Sequence, residues 1–291
     1  MSAKSGISYC DRTWEPVVGC TRQSPGCDRC WSLALAWRFS HNPNAKMQAT
    51  YGGLTRRARV TGEPEWSGVV RCLPERLDEP LTWRTPQRVF VVSQADLFHE
   101  AVPFDFIERV FAVMWACKMH TFLLLTKRPQ RMLEFYAHYQ KTQRIFVLWP
   151  LPNVWVGVTV EDQTRADERI PLLLQVPAAV RWVSVEPMLG PVDLSGYLHP
   201  SSHLTDGLWH DDCPACLRRR VHGGTGALDW AVCGCESGPG ARLMDASWAY
   251  SLWTQVHDAG LPFWFKQAMV DGKLDHQPTI LGRTWQEVPD A

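Results

Sequence analysis

RVFVVS at 88–93, HTFLLLT at 120–126, VWVGVTV at 154–160 and VRWVSV at 180–185 are short runs, almost continuously apolar and rich in β-branched and aromatic residues. LDWAVC at 228–233 and PFWFK at 262–266 follow the same pattern. A run that is apolar at nearly every position, rather than at every second one, suits a strand covered on both faces. Between these runs, segments 104–119, 128–140, 163–175 and 246–259 repeat their apolar residues at helical period, with Pro103 placed to start one helix and Gly260 to stop another. A further helix is expected over 28–40. Buried strands alternating with amphipathic helices predict parallel strands joined by crossover helices. The fold is read as α/β, a TIM-like β/α barrel that is partial in its closure.

A barrel of this kind accommodates all 291 residues, so 1–291 is expected to form one domain. Lys and Arg together number 30, as do Asp and Glu, so no global field draws the chain toward nucleic acid or a membrane, and any nucleic-acid contact must be local. MSAKSGISYC at the start lacks the apolar core of a signal peptide, and no apolar run approaches the ~20 residues needed to cross a bilayer. A cytoplasmic protein without membrane contact is therefore expected. In that reducing setting the ten cysteines read as ligands or buried small hydrophobes rather than disulfides. Two stretches interrupt the alternation. Residues 41–87, rich in Pro, Gly and Arg, are expected to be an irregular excursion with a strand near 68–73 and a short helix at 74–79. Residues 197–227 carry His, Cys, Arg and Gly without periodicity and look like an insertion between two strands.

Polar residues appear where the apolar runs end: Ser93 and Asp96, Thr126 with Lys127 and Arg128, Glu161, Glu186, Glu236, and Lys266 with Gln267. In β/α barrels the active site lies at the C-terminal ends of the strands, so these residues are expected to converge on one mouth. Singly, each is equally well explained as a helix cap or a solvated loop residue.

Cys20, Cys27 and Cys30 lie in GCTRQSPGCDRCW at 19–31, a loop that runs into a predicted helix. Three thiolates in one short loop can hold a 4Fe–4S cluster and leave its fourth iron without a protein ligand. Such an iron can chelate S-adenosylmethionine and pass an electron to its sulfonium, giving a 5′-deoxyadenosyl radical. The competing reading is a zinc site or unrelated buried cysteines; zinc would want a fourth ligand, and His41 is the nearest candidate. The spacing also differs from the usual radical S-adenosylmethionine motif, which places three residues rather than six between the first two cysteines and an aromatic where Arg29 stands.

Several blocks together resemble a phage and bacterial family named after two mycobacteriophage gene products and known for a three-cysteine motif. They are DRTWEPVVGCTRQSPGCDRCW at 11–31, SQADLFHEAVP at 93–103, LLTKRPQRM at 124–132, VGVTVEDQTRADERIPLLL at 156–174, VSVEPMLGPVDL at 183–194, LDWAVCGCESGPGARLM at 228–244 and PFWFKQ at 262–267. The resemblance implies a barrel of radical S-adenosylmethionine type with Cys20, Cys27 and Cys30 as cluster ligands. It implies cofactor contacts among Ser93, Asp96, Thr126, Lys127, Glu161, Glu186 and Glu236, and a separately encoded partner protein. A carboxylate such as Glu161 or Glu186 would accept from the ribose hydroxyls or amino group of the cofactor, and Lys127 or Arg128 would pair with its carboxylate or a substrate phosphate. An external reductant of flavodoxin or ferredoxin type is also implied. The chain departs from the family at CGCESG, where Cys233 and Cys235 replace less reactive residues, and at Cys10, which stands where tryptophan is usual. Cys10, Cys72 and Cys117 are read as buried fillers.

The insertion offers a second metal candidate: His210, Cys213, Cys216 and His222, with Cys233 and Cys235 shortly after. Zinc, a second cluster held by Cys213, Cys216, Cys233 and Cys235, and no metal at all are each compatible with that spacing. Arg56, Arg57, Arg59, the run Arg218–Arg220 and 15 tryptophans could serve a nucleotide or single-stranded nucleic acid, although most of the tryptophans are expected in the core. Two functions compete. One is a radical enzyme acting on a nucleobase or nucleotide in phage-related DNA modification or repair; the other is a non-catalytic, zinc-stabilised nucleic-acid-binding or adaptor protein.

Overall fold

The structure is a computed structural model and describes residues 5–142, 149–198, 227–238 and 240–290. Its first elements are short: β1 (Arg12–Trp14), β2 (Val17–Val18), α1 (Trp31–Ser40), α2 (Ala45–Tyr51), β3 (Thr55–Arg57), β4 (Pro64–Trp66) and β5 (Arg71–Cys72). The regular part follows as β6 (Arg88–Val91), α3 (Phe104–Ala116), β7 (Thr121–Thr126), α4 (Pro129–Thr142), β8 (Val154–Thr159), α5 (Gln163–Leu173), β9 (Val180–Val185), β10 (Trp230–Gly234), α6 (Ala246–Asp258), β11 (Phe263–Val270) and β12 (Lys273–Asp275). Each apolar run of the sequence is thus a strand, and each helical segment between them is a helix.

Eight of these strands form one sheet in the order β1-β6-β7-β8-β9-β10-β11-β12. All neighbours are parallel except β11 and β12, which pair antiparallel. Parallel neighbours need a crossover, and α3, α4 and α5 supply it from β6 to β9 and α6 from β10 to β11. Alternate residues point to opposite faces. Val89, Val91, Phe122, Leu124, Val156, Val158, Val183 and Val185 pack against the helices. Phe90, Leu123, Trp155, Trp182, Trp230, Val232 and Trp264 face the other way and form an aromatic core with Tyr9.

That second core shows that the sheet curls. In a flat sheet the three inter-strand steps from β6 to β9 would separate side chains by about 14 Å; the rings of Phe90 and Trp182 lie 6.4 Å apart. Tyr9 lies within 5.6–6.2 Å of Phe90, Trp182, Trp230 and Trp264, touching β6, β9, β10 and β11 at once. Gly157 permits this packing, because a Cβ there would fall 2.6 Å from the Trp182 ring. The edge strands β1 and β12 do not pair with each other, so the sheet is curled and open. The expected barrel is met as a mostly parallel sheet with crossover helices, not as a closed ring.

Residues 41–87 are more ordered than expected. β3 and β4 form a hairpin, β5 pairs with β2, and Val18, Ala36, Tyr51, Leu54 and Leu73 make a small satellite core. The strand expected near 68–73 is only Arg71–Cys72, and the expected helix at 74–79 is replaced by two 3₁₀ turns, Pro74–Arg76 and Glu79–Thr82. Most of the insertion, 199–226, lies outside the described residues. Among the described residues no helix is long and apolar enough to cross a membrane.

Candidate functional site

At Gly19 the chain leaves β2 and enters the cysteine loop. Pro25–Cys27 forms one 3₁₀ turn, and Cys30 takes an extended conformation (φ −65°, ψ 121°) as the cap of α1. The helix therefore starts at Trp31 rather than at 28, because Pro25 sets a tighter turn and Cys30 leaves the helical region. This places the positive end of α1 at the third cysteine, a setting that favours negative charge. Cys20, Cys27 and Cys30 line one cavity of about 600 Å³. Ser93, Asp96, Thr126, Lys127, Glu186 and Glu236, all at strand ends, line the same cavity.

Glu161 is the exception. It is 0% exposed and does not reach the cavity. Its Oε1 accepts from the Ser24 hydroxyl and from Lys127 Nζ at 2.6 Å, while Oε2 accepts from Arg169 Nη1 at 3.0 Å. The backbone of Gly26 lies directly on this side chain; a Cβ there would meet Glu161 Cγ at 2.5 Å. Burial opposes a charged carboxylate, but Lys127 and Arg169 outweigh it and hold Glu161 below the ordinary glutamate range. The residue expected to touch a cofactor instead pins the cysteine loop to the end of β8.

Two further carboxylates are spent in the same way. Asp96 accepts from Thr126 Oγ1 (2.7 Å) and Phe98 N–H (3.0 Å) on one oxygen, and from Lys127 N–H (3.1 Å) and Arg128 Nη1 (3.1 Å) on the other. Arg128 then donates through Nη2 to Thr21 Oγ1 at 2.8 Å, beside Cys20. Its guanidinium is engaged by protein and is not held out for a phosphate. Glu15, buried after β1, accepts from the Ser93 N–H (3.1 Å), the Ser93 hydroxyl and the Gln94 N–H (3.2 Å). Val92, with φ at 61°, makes the turn that brings these donors to Glu15.

Lys266 donates to Glu186, and both line the cavity. Glu236 accepts from Arg242 through its N–H (2.9 Å) and Nε (3.0 Å), and Arg242 Nη2 donates to the Pro25 carbonyl at 2.8 Å. Arg242 thereby ties the loop after β10 to the cysteine loop, 217 residues away. Cys235 also lines the cavity, where burial pushes its thiol up to about 11. Cys233 is fully buried against Met188 on the helix side, so the two do not share a site. The register slip between Cys233 and Gly234 opposite β11 accompanies that divergence.

The three loop thiols have different surroundings. Burial, reinforced by Asp96, pushes Cys20 up to about 12. Burial also opposes ionisation of Cys27, but Lys127 and backbone donors of the loop bring it below the ordinary value. Lys127 Nζ stands 3.6 Å from Cys27 Sγ, Arg128 Nη1 3.9 Å from Cys20 Sγ, and Ser32 Oγ 3.1 Å from Cys30 Sγ. His41 bonds the Trp37 carbonyl at 2.8 Å and packs tilted against that residue's ring, 4.1 Å between centroids, so it is no fourth ligand. Among the described residues no three His, Cys, Asp or Glu side chains are arranged to hold a single metal ion. The three thiols line one cavity, and two of them lie beside cations, Cys27 beside Lys127 and Cys20 beside Arg128.

Arg56 pairs with Glu65 at 2.7 Å, and Arg57 bonds the Gly62 carbonyl and covers the Trp37 ring, so both brace the β3–β4 hairpin. Cys10 and Cys117 are buried and Cys72 half-buried. Trp14, Trp155, Trp182 and Trp230 are fully buried, in keeping with a core role. His210, Cys213, Cys216, His222 and Arg218–Arg220 lie outside the described residues. Glu15, Ser24, Arg169 and Arg242 are site residues that the sequence reading passes over, although all four lie inside the blocks that carry the resemblance, at 11–31, 156–174 and 228–244. No curated protein and no solved structure matches the chain. The model of the family described as "Protein of unknown function (DUF5131)" matches residues 4–289, and the chain belongs to that family.

Proposed function

We propose that the protein is a radical S-adenosylmethionine enzyme, its curled sheet a partial β/α barrel and Cys20, Cys27 and Cys30 the ligands of a 4Fe–4S cluster. The observation that carries this reading is the placement of three thiols from one loop on a cavity at the C-terminal ends of parallel strands, beside Lys127 and Arg128. When bound, the cluster would take one electron from an external flavodoxin- or ferredoxin-type reductant and pass it to the sulfonium of S-adenosylmethionine, releasing methionine and a 5′-deoxyadenosyl radical. The chain's own residues do the rest. Glu161, Arg128 and Arg242 fix the loop, and the strand ends of the curled sheet, Thr126, Thr159 and Ser184 among them, line the cavity. Glu186 and Lys266 present paired charges to whatever enters.

The substrate reading is a nucleobase or nucleotide, in phage-related DNA modification or repair. Support comes from Arg29 and the half-exposed Trp31, which both line the cavity and offer a cation and a stacking face. A separately encoded partner protein and a cytoplasmic setting belong to the same proposal; the described cysteines are all free, as a reducing compartment requires. Metal analysis after anaerobic reconstitution separates this reading from a zinc-stabilised adaptor. The expected result is a brown, oxygen-sensitive protein with about four irons per chain, all lost when the three cysteines become alanine. A colourless chain with stoichiometric zinc would support the adaptor instead.

A further inference from the structure

Lys127 has two partners. Its ammonium lies 2.6 Å from Glu161 Oε1 and 3.6 Å from Cys27 Sγ, and its side chain is 18% exposed. Glu161 cannot yield, because Arg169 holds its other oxygen and Ser24 shares the first. The carboxylate therefore fixes the direction of the ammonium, leaving another N–H for the sulfur. Arg128 approaches Cys20 less closely, at 3.9 Å, and its guanidinium is committed to Asp96, Glu100 and Thr21. Cys30 meets the neutral hydroxyl of Ser32.

We infer that Lys127 is a positioning residue that donates an N–H···S bond to Cys27 and raises the reduction potential of the cluster, an inference that rests on the function proposed above. A 4Fe–4S core of charge 2+ with three thiolates carries −1 overall, and one-electron reduction takes it to −2. A cation and an N–H donor at one sulfur stabilise the more negative state more strongly, so reduction becomes easier. Glu161 acts on the sulfur through Lys127 and, less closely, through Ser24, whose hydroxyl bonds Glu161 and lies 3.9 Å from Cys27 Sγ.

The test compares wild-type, Lys127→Gln and Lys127→Arg proteins after reconstitution, by potentiometric titration followed by EPR. Lys127→Gln should keep its iron while its one-electron reduction equilibrium falls at least tenfold, equivalent to ~59 mV. Lys127→Arg, which restores a charged donor, should recover most of that loss. A Gln variant with full iron and the wild-type midpoint would overturn the inference. A second measurement needs no variant: wild-type protein carrying ¹⁵N at lysine Nζ, examined by pulsed EPR in the reduced state, should show a weak ¹⁵N coupling. A wild-type cluster without that coupling would overturn the inference even if Lys127→Gln failed to fold. Wild-type protein that takes up no iron would instead overturn the reading of the site itself.

Discussion

Glu161→Ala should destabilise the protein by about 3–5 kcal/mol and abolish iron loading, because removing one member of a buried ionic network strands its partners. Those partners are Arg169, 6% exposed, and Lys127, 18% exposed, and both would lose the carboxylate that neutralises them. Ser24 would lose its acceptor, and Gly26 the side chain on which its backbone rests. Glu161→Gln keeps the shape against Gly26 but not the charge, so it should retain more stability than alanine while still loading iron poorly. Urea denaturation of the metal-free protein measures the first effect and iron analysis the second. Wild-type stability and full iron in Glu161→Ala would mean that the loop is held by something other than this carboxylate.

Trp182→Ala should cost a similar ~3–5 kcal/mol, but by cavity formation rather than stranded charge. Its ring fills the inside of the curled sheet, 5.2 Å from Trp230 and 5.9 Å from Tyr9. Trp182 is not among the residues that line the cavity, so protein that does fold should take up iron normally. Gly157 sharpens the test. Gly157→Ala in the wild-type background drives a carbon to 2.6 Å from the Trp182 ring and should be destabilising. In the Trp182→Ala background the same change meets no ring, so its cost should largely disappear, as coupled neighbours require. Additive losses measured by thermal or urea unfolding would contradict the packing described.

The strands were legible because burial on both faces leaves an apolar residue at nearly every position, as in VRWVSV at 180–185, which forms β9 without a residue added or lost. β1 leaves no such trace, because three residues, Arg12–Trp14, carry no period. The curl was not legible either, since it depends on Tyr9 reaching four strands that follow it by 81 to 255 residues. The site was legible as a set and not residue by residue. Glu161 and Glu186 both follow a strand, but only the fold shows that one is enclosed by Ser24, Lys127 and Arg169 while the other faces the cavity. The role of Arg242 is not legible in the sequence, because one of its partners, the Pro25 carbonyl, is a backbone atom at the other end of the chain. Cys233 and Cys235 look equivalent in CGCESG, and a register slip in one strand sends them to different places.

The radical-enzyme assignment is tested most directly by assaying 5′-deoxyadenosine from S-adenosylmethionine under dithionite, after anaerobic reconstitution, with the Cys20→Ala, Cys27→Ala, Cys30→Ala triple variant alongside. Cleavage by the wild type that is absent from the variant is the predicted result. A reconstituted, iron-loaded wild type that releases no more 5′-deoxyadenosine than the triple variant would contradict it.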